Sequence, residues 1–332
     1  MTVGIKDVAR VAGVSPATVS RVLGNGVVSD TLRAQVEAAV RETGYRPNLS
    51  ARRLRSRHSQ TIGLIVADIR NPFFTAVSRA VEDAAYRAGL RVILCNTDEN
   101  PEKEAMYLRL MEEERVTGVI FAPTRRTVEQ MAETSRSFPT VLIDRACQRS
   151  REDTVVLDNA AAAGVLVEHL YDRGYRRIAG LFGNASTTGI ERHDGYRAAM
   201  ARLGLPPAAV FIPPAAEAAE AELRRRTVDA GEALRRPEAI IASNGLLLMG
   251  VVRAAGETGL AIPGDLAVAG FDNERWTELV GPGITVIEQP VEAIGRAAME
   301  MLLDRIDTPD APVRKLVLNG RCIVRGSTAK RT

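Results

Sequence analysis

The chain has 332 residues, 45 % of them hydrophobic and 26 % charged, with a formal net charge of +3. Such a composition fits a soluble globular protein of two or three domains at about 100–150 residues each, and no run of about 18 apolar residues is present to span a membrane. Three cysteines (Cys95, Cys147, Cys322) and three histidines (His58, His169, His193) form neither a CxxC pair nor a metal-ligand spacing, so neither a disulfide framework nor a bound metal is expected.

The opening "MTVGIKDVAR" lacks the apolar segment of a secretory signal, and with the sparse cysteines it predicts a cytoplasmic protein. Charge is unevenly placed. Residues 1–60 hold ten Lys/Arg against four Asp/Glu, a net of +6, which leaves −3 for residues 61–332. A basic head on a mildly acidic body points to a polyanionic partner for the head, although charge alone fits a solvated basic face equally well.

In chain order, "GIKDVARVAGVS" puts Ile5, Val8, Ala9 and Ala12 at helical spacing, and Gly13 ends that helix as a left-handed residue. Ser15 caps a second helix and Pro16 takes its first position, where a missing N–H costs nothing. Val19, Val22 and Leu23 face inward, leaving Pro16, Ala17, Thr18, Ser20 and Arg21 outward. Ser29 or Asp30 caps a third helix with Leu32, Val36, Ala39 and Val40 on its apolar face, closed by Gly44. Two short helices across a tight Gly turn, buttressed by a third, predict an all-α helix-turn-helix domain over residues 1–46. Its second helix fits a DNA major groove about 12 Å wide. There Ser15, Pro16, Ala17, Thr18, Ser20 and Arg21 would meet bases and phosphates, with Arg21 as the guanine or phosphate ligand. A plain three-helix bundle is the alternative. The basic charge and the small side chains on the exposed face weigh against it.

Residues 47–60, "PNLSARRLRSRHSQ" with its flanks, read as a basic linker. Asn48 can cap a helical turn from Leu49 to Arg55, which places Ala51, Arg52, Leu54 and Arg55 on neighbouring faces. At about eight residues such a turn is too short to be stable alone in water and would order on DNA.

From residue 61 strand-like runs alternate with amphipathic stretches. The strands are "TIGLIVAD", "RVILCNT", "GVIFAP", "FPTVLID", "RRIAGLFG", "AIIASN", "LAVAGFD" and "ITVIEQP"; the helices are expected at 73–88, 102–114, 127–136, 160–172, 190–203, 216–235, 246–258 and 291–306. This alternation predicts α/β architecture with doubly wound parallel sheets, split into two lobes. The N-lobe takes about 61–160 plus 290–320 and the C-lobe about 161–289, with breaks near "VVLDNAAAAG" and "TVIEQPVEAIG". The segment has no GxGxxG, GxxxxGK[ST] or GxSxG motif and no His or Cys set to partner a carboxylate, so neither an enzyme nor a cofactor is expected.

Ligands of open parallel sheets sit beyond the carboxyl ends of the strands. Reading those ends selects Asn71, Phe73, Phe74, Asp144, Arg145, Arg192 (in "ERHDGY"), Asn244, Asp272 and Gln289. Amides, carboxylates and guanidiniums suit paired hydroxyls, and an aromatic face suits the C–H side of a sugar ring. Each also has a structural alternative, since Asp and Asn after strands cap helices and Phe73 or Phe74 can belong to a core.

"IKDVARVAGVSPATVSRVL" resembles the opening signature of the lac repressor (LacI) family of bacterial transcription regulators, and "GYRPNLSARRLRS" resembles that family's hinge. The resemblance continues along essentially the whole chain, with Gly4 standing where relatives often have a capping Thr. It implies that Pro16 and Ala17 bear most on operator sequence. It also implies that Leu54 wedges into the minor groove at the operator centre, with Arg55 beside it. The body resembles the periplasmic sugar-binding-protein fold, and the nine strand-end residues match the pattern of ribose-binding members. Purine-binding relatives often carry an aromatic where this chain has Arg145, which shifts the reading toward a pentose.

Together these readings predict a sugar-responsive repressor of transcription with two partners, operator double-stranded DNA and a small sugar. It would act as a homodimer, because one short recognition helix reads too few base pairs and two-fold symmetry doubles the site. A purine, nucleoside or other small polar effector stays open as the alternative.

Overall fold

The computed structural model describes residues 3–23, 26–45, 59–130, 137–146, 151–227 and 236–330. The chain divides into two compact units, 1–59 and 60–332.

In the first unit, α1 (Ile5–Val11), α2 (Pro16–Leu23) and α3 (Asp30–Thr43) enclose a small core of Val8, Ala9, Ala12, Val19, Val22, Val36 and Ala39. Gly13 at φ 62° and Gly44 at φ 65° take the left-handed conformation that the turn after α1 and the end of α3 require. Gly4 caps α1 with no side chain of its own; the Asp7 carboxylate instead accepts its N–H at 3.0 Å. Gln35 Nε2 donates to the Ala12 carbonyl at 2.9 Å and ties the inter-helix turn to α3.

The second unit contains two six-stranded sheets. The first holds β1 (Thr61–Val66), β2 (Arg91–Asn96), β3 (Gly118–Phe121), β4 (Thr140–Ile143), β5 (Asp153–Leu157) and β11 (Lys315–Leu318), ordered β11-β5-β4-β3-β1-β2 with parallel pairings throughout. The second holds β6 (Ile178–Gly183), β7 (Ala208–Ile212), β8 (Ala239–Ala242), β9 (Ala267–Phe271), β10 (Thr285–Glu288) and β12 (Arg321–Ile323), ordered β12-β10-β9-β8-β6-β7. Here β12 runs antiparallel to β10 while the other pairings are parallel.

Helices cover both faces of each sheet, as the continuous apolar strands demand. On the first sheet, α4 (Pro72–Arg87) and α12 (Val291–Asp307) share a core in which Phe73, Phe74 and Val77 meet Ile294, Ala298 and Leu302. Met111 of α5 (Pro101–Glu113) packs on the opposite face with Ile65, Val119 and Phe121, and a short α6 (Arg125–Gln130) follows β3. On the second sheet, α7 (Asn159–Asp172) and α8 (Thr187–Arg202) line one side, and α9 (Ala216–Thr227) and α10 (Gly245–Glu257) the other. A single turn, α11 (Trp276–Leu279), follows β9. Among the described residues no helix is long and apolar enough to cross a membrane.

The two-lobed α/β body agrees with the sequence reading, but twelve strands are described where eight were expected. β5 lies in the stretch read as a lobe boundary, and β7, β11 and β12 were not anticipated. Those three are sheet-edge strands with half-exposed side chains, so they lack a continuous apolar run. Because β11 joins the first sheet and β12 the second, the chain crosses between sheets three times, at 157–159, 288–291 and 318–321, rather than twice. The outer parts of two expected helices, 131–136 and 228–235, lie outside the described residues.

Candidate functional site

Two places gather the residues singled out in the sequence, one in each unit. In the head, the Thr18 N–H donates to Ser15 Oγ at 3.1 Å and the two hydroxyls lie 2.9 Å apart. Ser15 therefore caps α2, and Thr18 shares in that cap. Val19 and Val22 are buried, while Pro16, Ala17 and Arg21 are exposed and Thr18 and Ser20 half-buried. Asn48, Ala51, Arg52, Leu54 and Arg55 lie outside the described residues.

In the body, all nine strand-end residues line one cleft of about 590 Å³, its open mouth included. They reach it by different routes. Asn71 caps α4, its Oδ1 accepting the Phe73 N–H at 3.0 Å, and Asn244 caps α10, its Oδ1 accepting the Leu247 N–H at 2.8 Å. The capping alternative thus holds for both asparagines while they also face the cleft. Phe73 and Phe74 meet edge to face with ring centroids 5.0 Å apart, and both are buried against the first sheet's core as well as bordering the cleft.

Asp144 directly follows β4, and Asp272 directly follows β9. The two strands hold the same place in their sheets. Both aspartates are left-handed, at φ 65° and φ 78°. Their N–H groups donate to the Val155 and Ile287 carbonyls at 3.2 and 2.9 Å, which turns each side chain off its strand end. L-residues rarely take this conformation, and Asp tolerates it better than most.

The surroundings of the two carboxylates differ. Arg145 Nε donates to Asp144 Oδ2 at 3.1 Å, and Nη1 donates to Glu99 Oε2 at 2.7 Å and to the Pro123 carbonyl at 3.1 Å. Nη2 donates to Glu99 Oε1 as well. Burial raises the Asp144 pKa above the ordinary carboxylate value, opposed by the guanidiniums of Arg145 and Arg192. Asp272, in contrast, is held by neutral donors: Gln289 Nε2 to Oδ1 at 2.7 Å and the Gly245 N–H to Oδ2 at 2.9 Å.

Arg192, grouped with the strand ends although it falls within the helix expected at 190–203, lies in the second turn of α8, 4 % exposed. Its Nε donates to Asn159 Oδ1 at 2.8 Å, Nη1 donates to the Ser243 carbonyl, and the guanidinium sits 4.0 Å over the Phe271 ring. Burial lowers its pKa against the pull of Asp272 and Asp144. Its Nη2 donates to no described residue. Close approach fixes this helix, since a Cβ on Gly189 would lie 2.0 Å from the Gly183 carbonyl oxygen.

Sequence reasoning missed Glu99, Ser186, Thr188 and Ser243, which also line the cleft. Glu99 and Ser243 follow β2 and β8, so the strand-end rule could have found them. Asn159 opens a helix at a lobe crossing and gave no such signal.

The chain matches the model of bacterial regulatory proteins, lacI family, over residues 4–48, and that of a periplasmic binding protein-like domain over 167–328. It is 36 % identical to the HTH-type transcriptional regulator KdgR of Bacillus subtilis (strain 168), with 97 % of each chain covered. It is 33 % identical to the HTH-type transcriptional repressor PurR of Yersinia pestis bv. Antiqua (strain Antiqua), over 98 % of this chain and 96 % of the relative. Among solved structures it is similar in fold to the lac repressor dimer bound to operator and an anti-inducer, with a TM-score of 0.87 at 23 % identity, covering 99 % of this chain and all of that one.

Proposed function

This chain belongs to the lacI family of bacterial regulatory proteins, DNA-binding transcription regulators rather than enzymes, and on that premise we propose that it is a repressor answering to a small neutral sugar, a pentose such as ribose. In this reading residues 1–46 hold operator DNA through the exposed face of α2, and 47–60 form a hinge that orders on the operator. Residues 61–332 dimerise and bind the sugar. Leu54 is the wedge between central base pairs, and Arg21 the base or phosphate ligand.

The observation that carries the sugar reading is the make-up of the cleft. Acceptors (Asp144, Asp272), donors (Arg192, Asn244, Gln289) and one aromatic edge (Phe73, Phe74) converge on a single space. This is the equipment for a ring with several hydroxyls and one C–H face. Phe73 and Phe74 are the aromatic residues among the described lining, and they meet at 75° rather than forming a parallel slot. That weighs against a planar purine. Sugar binding acts on the operator through a difference in affinity between two states of the dimer, typically ~1–3 kcal/mol.

Thermal unfolding of the full chain with pentoses, hexoses and nucleobases tests the reading. A ligand at roughly 100 times its Kd should add about 2.7 kcal/mol of stability. A response to nucleobases and to no sugar overturns the pentose. For the head, Arg21→Ala should weaken operator binding by about 1–3 kcal/mol and flatten its salt dependence. Unchanged operator affinity would remove Arg21 from the interface.

A further inference from the structure

The cleft holds a residue to which the proposed function gives no part. Asp98 and Glu99 stand together in the left-handed region, at φ 52° and φ 57°. Neither is a glycine, and two successive side chains in this conformation persist only where surrounding bonds impose it. Those bonds are present. The Glu99 N–H donates to the Ala67 carbonyl at 3.1 Å, and the Asn100 N–H to the Thr97 carbonyl at 3.0 Å. Asn96 Nδ2 donates to Asp98 Oδ1 at 2.7 Å, and Lys103 Nζ to Asp98 Oδ2 at 2.5 Å. The strained turn delivers the Glu99 carboxylate, 21 % exposed, edge-on to the guanidinium of Arg145, 4 % exposed.

The consequence is chemical. A guanidinium fork is the strongest recognition element for a carboxylate or phosphate, which it binds through two parallel N–H donors. In this cleft the fork of Arg145 is already filled by an internal carboxylate, and its Nε is taken by Asp144. The lining as a whole carries four carboxylates (Asp68, Glu99, Asp144, Asp272) against two guanidiniums (Arg145, Arg192). An anionic ligand would meet excess negative charge and lack Arg145 as its partner.

We propose that Glu99 is a specificity-determining residue, which occupies the guanidinium fork of Arg145 and so sets the cleft to accept an uncharged sugar and reject its carboxylate-bearing analogues. Glu99 need not touch the sugar; it acts through Arg145. The proposal rests on the sugar reading for the identity of the accepted ligand. The occupied fork itself does not depend on that reading.

The test uses the full chain and two kinds of probe. Formate is the first. In Glu99→Ala the Arg145 fork is left empty, so formate should raise Tm in this variant, with chloride as the balancing anion, and should leave the wild type and the double variant Glu99→Ala/Arg145→Met unmoved. The second probe is a matched pair, D-ribose and D-ribonate, measured by calorimetry. Glu99→Gln should shift the ribonate-to-ribose affinity ratio toward ribonate by tenfold or more. No selective formate response, or a wild type that already prefers ribonate, or a ratio unmoved in Glu99→Gln, overturns the proposal. A wild type that ignores ribose while Glu99→Ala responds to formate sinks the pentose and supports the Glu99 assignment. Should Glu99→Ala fail to fold, the ribonate-to-ribose ratio of Glu99→Gln decides alone.

Discussion

The two halves of the cleft are built on one backbone device and finished with opposite chemistry. Each sheet ends its third strand in a left-handed aspartate whose N–H is fixed by the neighbouring strand. On the N-lobe side the aspartate sits in a closed set of charges, with Arg145 bound by both Asp144 and Glu99. On the C-lobe side the charges are held apart by neutral groups, with Asp272 on Gln289 and Gly245, and Arg192 on Asn159, Ser243 and the Phe271 ring. A charge satisfied by another charge serves the fold. A charge held by neutral groups keeps attraction in reserve for a ligand.

This contrast predicts that the two arginines fail differently. Arg145→Met leaves two carboxylates without their cation and should cost about 3–5 kcal/mol of stability. Arg192→Met leaves neutral acceptors unpaired and should cost about 1–3 kcal/mol. Urea unfolding of both variants measures the gap, and equal losses would erase the distinction between the half-sites. In ligand binding the order reverses, with Arg192→Met the more damaging change by calorimetry.

A smaller effect is expected from Asp272→Ala. It removes the acceptor for Gln289 and the Gly245 N–H, and with them the acceptor proposed for the sugar. Pentose affinity should fall about tenfold or more, a decade being about 1.4 kcal/mol. An Asp272→Ala protein that binds pentose like the wild type would reduce this carboxylate to a turn-former.

The smallest effect concerns pH. Burial holds the Asp144 carboxyl above its ordinary value of 3.8, so the folded state binds this proton more tightly than the unfolded chain does. Asp144 therefore favours the fold fully below the unfolded pKa and loses that contribution as pH rises toward the folded value. Replacing it with Asn removes the titration while keeping a residue that tolerates the left-handed conformation. The stability of Asp144→Asn relative to the wild type should thus improve as the pH rises above the ordinary carboxylate range toward the raised value in the fold. A difference that stays flat or runs the other way would show that Asp144 is not raised.

The helical head was legible because its signals are local. Gly13, Gly44, Ser15 and Pro16 each act within a turn, and all fall where their conformations require. The cleft was legible to the extent that topology alone places strand ends together, which accounts for Asp144, Arg145, Asn244, Asp272 and Gln289, each within two residues of a strand end. Their partners were not legible. That Arg145 bonds Glu99 depends on two strand ends far apart in sequence, and on a turn whose left-handed residues are not glycine. Arg192 reached the site from a helix, where a strand-end rule does not look. The edge strands β7, β11 and β12 escaped because half-exposed strands carry no apolar run.

Residues 315–328 have a consequence for the order in which the molecule matures. β11 completes the first sheet and β12 the second, and Ser327 and Thr328 are wholly buried in the second lobe. There Ser327 Oγ donates to the Val268 carbonyl at 2.6 Å, and Thr328 Oγ1 lies 2.8 Å from His169 Nε2. Synthesis runs from the N-terminus, and the three-helix head, with its own core, is made first. A nascent chain thus carries a finished DNA-reading unit while both halves of its sensor still lack a strand. Both sheets are complete only once residues 315–328 have left the ribosome, so the capacity to respond arises later than the head.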